Sequence, residues 1–115
     1  MKPFTGTWRI TSSPDFSADQ LNQSGLPYVR LRQQGERVEG EYAFGLQQGH
    51  IDGRPDGEDR IIFSFEGMDD EELANGAGLL TLREDRLHLT LMYHFGPDRT
   101  LEGNRQAISD ASAHG

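Results

Sequence analysis

Apolar and polar side chains alternate with a period of two along most of the chain. Residues 86–95 show this most clearly, with Leu87, Leu89 and Leu91 on one face and polar or charged residues between them. Because successive strand side chains point to opposite faces, the alternation predicts half-buried strands. It predicts eight of them, at residues 4–11, 28–33, 38–46, 48–54, 60–67, 76–84, 86–95 and 99–105.

The connections between these strands favour an antiparallel arrangement. Most are short turns that contain Gly, Pro or Asp, and no long helix separates any two strands. Two connections are predicted to be longer, an acidic loop at 68–75 and a first connection at 12–27. In the first connection, residues 16–23 are predicted to form a short helix with Asp15 or Ser17 as its N-cap, and Gly25 is predicted to end it.

Eight sequential antiparallel strands form either a sandwich or an up-and-down barrel. We predict an all-β fold, an eight-stranded antiparallel up-and-down (meander) barrel with a short helix or long loop between strands 1 and 2. Residues 1–105 are expected to form this single domain, and residues 106–115 a polar C-terminal tail. An eight-stranded barrel has an interior that side chains just fill, or that holds one small ligand.

Composition narrows the classes of function. The 115 residues carry a formal net charge of −8, which argues against binding to nucleic acid or to an anionic membrane. There is no cysteine, so disulfides, thiolate metal sites and cysteine catalysis are excluded. No apolar run is long enough to span a bilayer, and the first residues lack the apolar stretch of a secretory signal. We therefore expect a cytoplasmic protein without cofactor.

The two ends of the predicted barrel sequence are expected to meet. Trp8, the only tryptophan, shares a strand face with Gly6, which leaves space beside its ring. Arg105 ends the eighth strand. If the first and last strands pair, the Arg105 guanidinium can lie over the Trp8 ring, a contact worth roughly 0.5–2 kcal/mol. We predict that Gly6, Trp8 and Arg105 close the barrel.

The sequence resembles the calycin superfamily, the lipocalins and avidins. The resemblance rests on Gly6-x-Trp8 in the first strand, the long first connection, the meander and the arginine in the eighth strand. The chain lacks the row of inward polar residues with which avidins hold biotin, so biotin binding is not implied. Residues 65–70 and 93–98 are also similar to a family of uncharacterised small bacterial proteins, a likeness that implies no activity.

The meander places both long connections at one end of the barrel, and long loops on a rigid scaffold are where function tends to lie. Aromatic side chains are predicted to face the interior near that end. They are the candidate walls of a cup for a small apolar or aromatic ligand: Tyr42, Phe44, Phe65, Tyr93 and Phe95. The alternative is that these rings fill a solid core.

Charged residues are predicted to surround the same end, and the candidate rim residues are Glu66, Asp69, His94 and Asp98. The acidic run matches no calcium-loop pattern, so no metal site is predicted. It is either a solvated loop or a docking surface for a basic partner. Glu66 and His94 lie two strands apart, about 10 Å from strand spacing, which is too far for an acid–base couple unless a loop draws them together.

Outward apolar residues suggest a second type of contact. Ile62, Leu79 and Met92 are predicted on the outer face of three consecutive strands, where they are either a homodimer interface or scattered surface residues. Ligand binding is therefore the first hypothesis, and a protein–protein interaction module that uses the acidic rim or this stripe is the alternative. An enzyme that uses Glu66, Asp69 and His94 is the third.

Overall fold

Eight antiparallel strands close into one barrel, in which each strand pairs with its neighbours in sequence and the last pairs with the first. The structure, a computed structural model, describes residues 4–106. The helix α1 (Ala18–Leu21) lies between the first two strands. The strands are β1 (Gly6–Ser12), β2 (Tyr28–Gln34), β3 (Arg37–Phe44), β4 (Gln47–Pro55), β5 (Arg60–Asp69), β6 (Glu72–Arg83), β7 (Arg86–Tyr93) and β8 (Asp98–Arg105). The predicted fold class is confirmed.

The barrel has two ends with different connections. At the α1 end lie the β1–β2 connection (residues 13–27) and the turns at 45–46, 70–71 and 94–97. At the Trp8 end lie the turns at 35–36, 56–59 and 84–85, together with the start of β1 and the end of β8. Because the strands alternate in direction, every second connection returns to the same end.

Strands β1 and β8 close the barrel as predicted. Trp8 pairs with Arg105 across the two strands, and the guanidinium carbon lies 4.1 Å from the centroid of the Trp8 ring. Trp8 is fully buried, and its Nε1 donates a hydrogen bond to the Phe4 carbonyl at 3.2 Å. Gly6 has a φ of 140°, a conformation that favours glycine, and a Cβ there would lie 2.9 Å from Arg105 Nη1.

The helix α1 is shorter than predicted. Ser17 is its N-cap and forms a capping box with Gln20, which satisfies donors at the start of the helix. The chain leaves the helical region soon afterwards, and Gly25 has a φ of 123°. Leu21 is buried, and its carbonyl accepts a hydrogen bond from Gly45 N at 2.9 Å. This bond fixes α1 against the β3–β4 turn.

The prediction of an acidic loop at residues 68–75 is wrong. Strand β5 continues to Asp69 and β6 begins at Glu72, so the segment is the tip of a long hairpin with a two-residue turn. Asp70 takes the left-handed conformation that the turn requires, with a φ of 59°. The run of carboxylates prevented recognition of these strand ends. A strand tip that faces solvent on both sides no longer shows the alternation of apolar and polar residues that identifies a strand. The α1 end therefore has one long connection, not two.

Two side chains are not where the alternation predicts them. Phe95, a predicted cup residue, is 96% exposed, and Leu46, which the alternation in the predicted strand 38–46 places on the inward face with Tyr42 and Phe44, is 43% exposed. Both residues lie in turns, where the alternation of inward and outward side chains along the strand is interrupted. Leu46 follows Gly45, which has a φ of 59°, and Phe95 itself has a φ of 60°. After the β3–β4 turn the inward position passes to Gln47, which is buried.

The predicted tail lies mostly outside the described residues. Its first member, Gln106, still belongs to the barrel, because its backbone N donates to the Thr7 carbonyl at 2.8 Å and its side chain accepts from Arg9. Within residues 4–106 there is no helix of the length and apolar character needed to cross a membrane.

Candidate functional site at the mouth of the barrel

A groove of about 340 Å³ opens at the α1 end, and we call it the mouth groove. It combines aromatic, amide and charged side chains, which include Phe16, Gln47, Asp69, Glu72, Tyr93 and Arg99. The strand register explains why the polar members meet. Gln47 begins β4 opposite Asp69, the last residue of β5, and Asp69 in turn pairs with Glu72 at the start of β6.

The inner end of the groove is held by a hydrogen bond between two side chains. The Tyr93 hydroxyl donates to Gln47 Oε1 at 2.5 Å, and Gln47 is only 8% exposed. The Tyr93 ring packs edge-on against Phe65, with centroids 5.2 Å apart. Burial raises the pKa of Tyr93, so its hydroxyl remains a neutral donor over the physiological range.

A second tyrosine lies deeper and has no hydrogen-bonding partner for its hydroxyl among residues 4–106. Tyr42 is 2% exposed, and its hydroxyl oxygen is buried. Burial, together with the negative charge of Asp69, raises its pKa to about 12. A Cβ on Gly49 would lie 2.6 Å from this oxygen, so the glycine makes room for it. An unsatisfied buried hydroxyl costs about 1–3 kcal/mol.

Phe16 covers the mouth from the β1–β2 connection. Its ring lies 5.7 Å from that of Phe44, and the Arg99 guanidinium lies 5.5 Å from its centroid. Phe16 immediately precedes the N-cap Ser17, a position where an apolar residue commonly packs against the fourth helical residue, here Leu21. That signal was available in the sequence, but Phe16 was not among the predicted site residues.

The mouth groove carries charges of both signs. Asp69 and Glu72 lie on one side, and Arg99, the second residue of β8, contributes a guanidinium. In the part of the chain that the structure describes, no salt bridge joins Arg99 to either carboxylate. Each sign is therefore available to a bound molecule.

Four of the five predicted cup residues form one continuous set of ring contacts. Phe44 contacts Tyr42 at 6.0 Å, Tyr42 contacts Phe65 at 6.0 Å, and Phe65 contacts Tyr93 at 5.2 Å. Phe95 lies outside this set, and its ring contacts that of the neighbouring His94, with centroids 4.0 Å apart. The rings thus fill the upper interior, and the open volume lies above them, in the mouth groove.

The predicted rim residues do not form one cluster. Asp69 and His94 line the mouth groove, whereas Asp98 is exposed at the start of β8. Glu66 and His94 border a shallow groove on the outer wall, but no hydrogen bond or ion pair joins them within residues 4–106. His94 is held instead through its backbone N, which donates to the Asn75 carbonyl at 2.8 Å. Among those residues no group of three or more His, Cys, Asp or Glu side chains is placed to hold a metal ion.

The outward stripe is found on the barrel wall as predicted. Ile62 pairs with Leu79 across β5 and β6, and Met92 pairs with Ala77 across β7 and β6. Leu79 is 37% exposed and Met92 36%. Whether two copies meet there stays a prediction that a concentration-dependent mass would test.

The fold defines the class of protein, a closed eight-stranded all-antiparallel meander barrel with a polar groove at one mouth. Comparison of the chain with protein-family models and with curated proteins yields no match. The function is therefore inferred from the residues of the site itself.

Proposed function

We propose that the protein binds a small molecule with an aromatic or apolar body in the mouth groove. The observation that carries the proposal is the hydrogen bond between the Tyr93 hydroxyl and the buried Gln47 at the inner end of the groove, above the ring-filled interior of the barrel. The Phe16 ring and the charged side chains of Asp69, Glu72 and Arg99 line the same groove. Ligand pockets combine aromatic walls with a few placed polar groups in this way.

The lining of the groove restricts the ligand. A volume of about 340 Å³ is at the lower end of the range for ligand pockets, which favours a single-ring compound. Phe16 and Tyr93 offer ring contacts. The Arg99 guanidinium suits a carboxylate on the ligand, whereas Asp69 and Glu72 suit an amine.

Two broader expectations belong to the same proposal. Membership of a calycin-like group is supported by the Gly6-x-Trp8 segment together with the contact between Trp8 and Arg105. A cytoplasmic location is supported by the cysteine-free composition, which suits a reducing compartment.

The test is a titration of ¹⁵N-labelled protein with benzoate and, separately, with benzylamine, followed by amide chemical shifts. We expect saturable shifts at Gln47, Tyr93 and Arg99 with at least one probe. Arg99→Gln should abolish the response to benzoate, and Asp69→Asn should weaken the response to benzylamine. Arg83→Gln removes a cation at the Trp8 end and is the matched control, which should change neither response.

The proposal is contradicted if neither probe shifts the groove residues in a saturable manner up to about 10 mM, a concentration at which even binding of about 4 kcal/mol would be detected. It is equally contradicted if Arg83→Gln and Arg99→Gln change the response to benzoate alike.

A further inference from the structure

Exposed apolar side chains are concentrated at the α1 end of the barrel. Of the seven large hydrophobic side chains that are exposed in residues 4–106, six lie in its connections or within two residues of them. These six are Leu26, Leu46, Met68, Leu73, Met92 and Phe95. The three turns at the Trp8 end hold only glycine and acidic residues. Water-facing apolar groups gathered at one end of a molecule mark an interaction surface.

Phe95 is the most exposed of the six, and its backbone conformation is also costly. It is 96% exposed, and its φ is 60°, a conformation that is unusual for a bulky residue. Within residues 4–106 its only ring contact is with the adjacent His94. Glycine or asparagine would suit this turn better on local grounds, so the reason for phenylalanine lies outside the turn.

An unpaired acidic segment lies among these apolar side chains. Residues 69–72, the acidic tip, are Asp-Asp-Glu-Glu and are flanked by the exposed Met68 and Leu73. No salt bridge in the described part of the chain involves the acidic tip. At the Trp8 end Asp56 pairs with Arg60 at 2.9 Å and Asp85 with Arg105 at 3.4 Å. Other acidic residues in the turns of that end are also in no salt bridge of residues 4–106, so the exposed apolar neighbours, and not the absence of ion pairs, distinguish the acidic tip.

We infer that the α1 end is a docking surface for a protein partner that presents an apolar patch bordered by lysine or arginine. Phe95 is the anchor that enters the apolar patch, and the acidic tip steers and orients the partner. The negative charge of the acidic tip argues against the other candidate occupants, a second copy of this chain or a membrane. A second copy of this chain would bring two acidic tips together, and an anionic membrane would repel them. The inference uses the turn tips and does not depend on a ligand in the mouth groove.

The test uses a fluorescent amphipathic helical peptide with one leucine face and one lysine face, about 18 residues or five turns long. We expect saturable binding by fluorescence anisotropy that weakens with salt. Phe95→Gly should weaken it by at least about tenfold, as loss of an interface anchor does. Exchange of Asp70 and Glu71, the two acidic-tip residues that do not line the mouth groove, for Asn and Gln should weaken it and flatten its salt dependence.

Glu84→Gly is the matched control. Glu84 has a φ of 58° in the turn at the Trp8 end, so this exchange relieves the same backbone conformation far from the surface and should leave binding unchanged. Equal loss of binding in Phe95→Gly and Glu84→Gly would overturn the inference. So would binding of a peptide with glutamate in place of lysine at the same affinity, or tighter binding to neutral phosphatidylcholine vesicles, which would indicate a membrane surface instead.

Discussion

The two interior tyrosines show how much depends on one hydrogen bond. Tyr93 and Tyr42 are close in ring packing, each in contact with Phe65, yet only the Tyr93 hydroxyl has a partner among the described residues. The same substitution should therefore have opposite effects at the two positions. Sequence alternation predicts that both rings face inward, but it contains no information on which hydroxyl finds an acceptor.

Tyr42→Phe should raise the free energy of unfolding by about 1 kcal/mol, because it removes an unsatisfied buried hydroxyl. Tyr93→Phe should lower it by about 1–2 kcal/mol, because it leaves Gln47 Oε1 buried without its donor. Urea unfolding of the two variants and the parent protein, with unchanged m-values, checks both signs. A loss of 1 kcal/mol or more in Tyr42→Phe would show that its hydroxyl is bonded in solution.

Tyr42 also makes stability depend on pH in the alkaline range. Its folded-state pKa is raised to about 12, whereas a tyrosine in the unfolded chain titrates near 10. Below pH 10 the Tyr42 hydroxyl is protonated in both the folded and the unfolded state, and its contribution to the free energy of unfolding is fully present. Between pH 10 and 12 the unfolded state loses the proton first, so the free energy of unfolding falls as pH rises. Tyr42→Phe should reduce this fall, and identical pH profiles for parent and variant would refute the assignment.

Turns are the elements that sequence analysis placed least well. All strands except β6 were predicted within about two residues at both ends, because alternation is strong where one face is buried. The β5–β6 tip and Phe95 were misplaced because both faces of the chain are solvated there. The pattern of apolar and polar residues then does not indicate which side chains point inward. For the same reason Gln47 and Arg99 were missed as site residues. A polar residue at a strand end looks like part of a loop until register shows which strands meet.

The same substitution, to glycine, can be compared at two hairpin turns with the same backbone conformation. Phe95 and Glu84 both take a left-handed conformation, with φ of 60° and 58°. Replacement by glycine removes a backbone conformational cost of about 1–2 kcal/mol there. It also lowers the free energy of unfolding by roughly 0.5–1 kcal/mol, because glycine has more conformational freedom in the unfolded chain. Phe95→Gly and Glu84→Gly should each gain about 0.5–1 kcal/mol, which thermal unfolding would show as an increase of about 2–6 °C. Destabilisation by Phe95→Gly alone would mean that its ring packs in solution.

Closure of the whole barrel depends on the meeting of β1 and β8. Trp8 is fully buried at this seam, with Arg105 over its ring and Phe4 accepting from its indole nitrogen. This contact joins residues almost one hundred positions apart, and it was predicted from a tryptophan in the first strand and an arginine in the last. The other end of the molecule, with its groove and exposed tips, could not be derived in the same way, because it depends on turns.

Trp8→Ala should lower the free energy of unfolding by roughly 3–5 kcal/mol, as expected for a buried large-to-small change. Arg86→Ala removes a long exposed side chain near the same end and is the control, with an expected change within about 0.5 kcal/mol. Chemical unfolding followed by circular dichroism measures both variants. A loss below 1 kcal/mol in Trp8→Ala would mean that the barrel is not organised around this seam.

Native mass spectrometry of the protein purified from cells tests ligand binding at the mouth groove most directly. We predict an added mass of about 100–300 Da, the size that a pocket at the lower end of the usual volume range accepts, and its loss on denaturation. Gln47→Ala should diminish the added mass, whereas Arg83→Gln should retain it. A protein that is bare from cells, and that stays bare after incubation with benzoate and benzylamine, would contradict the proposed binding function.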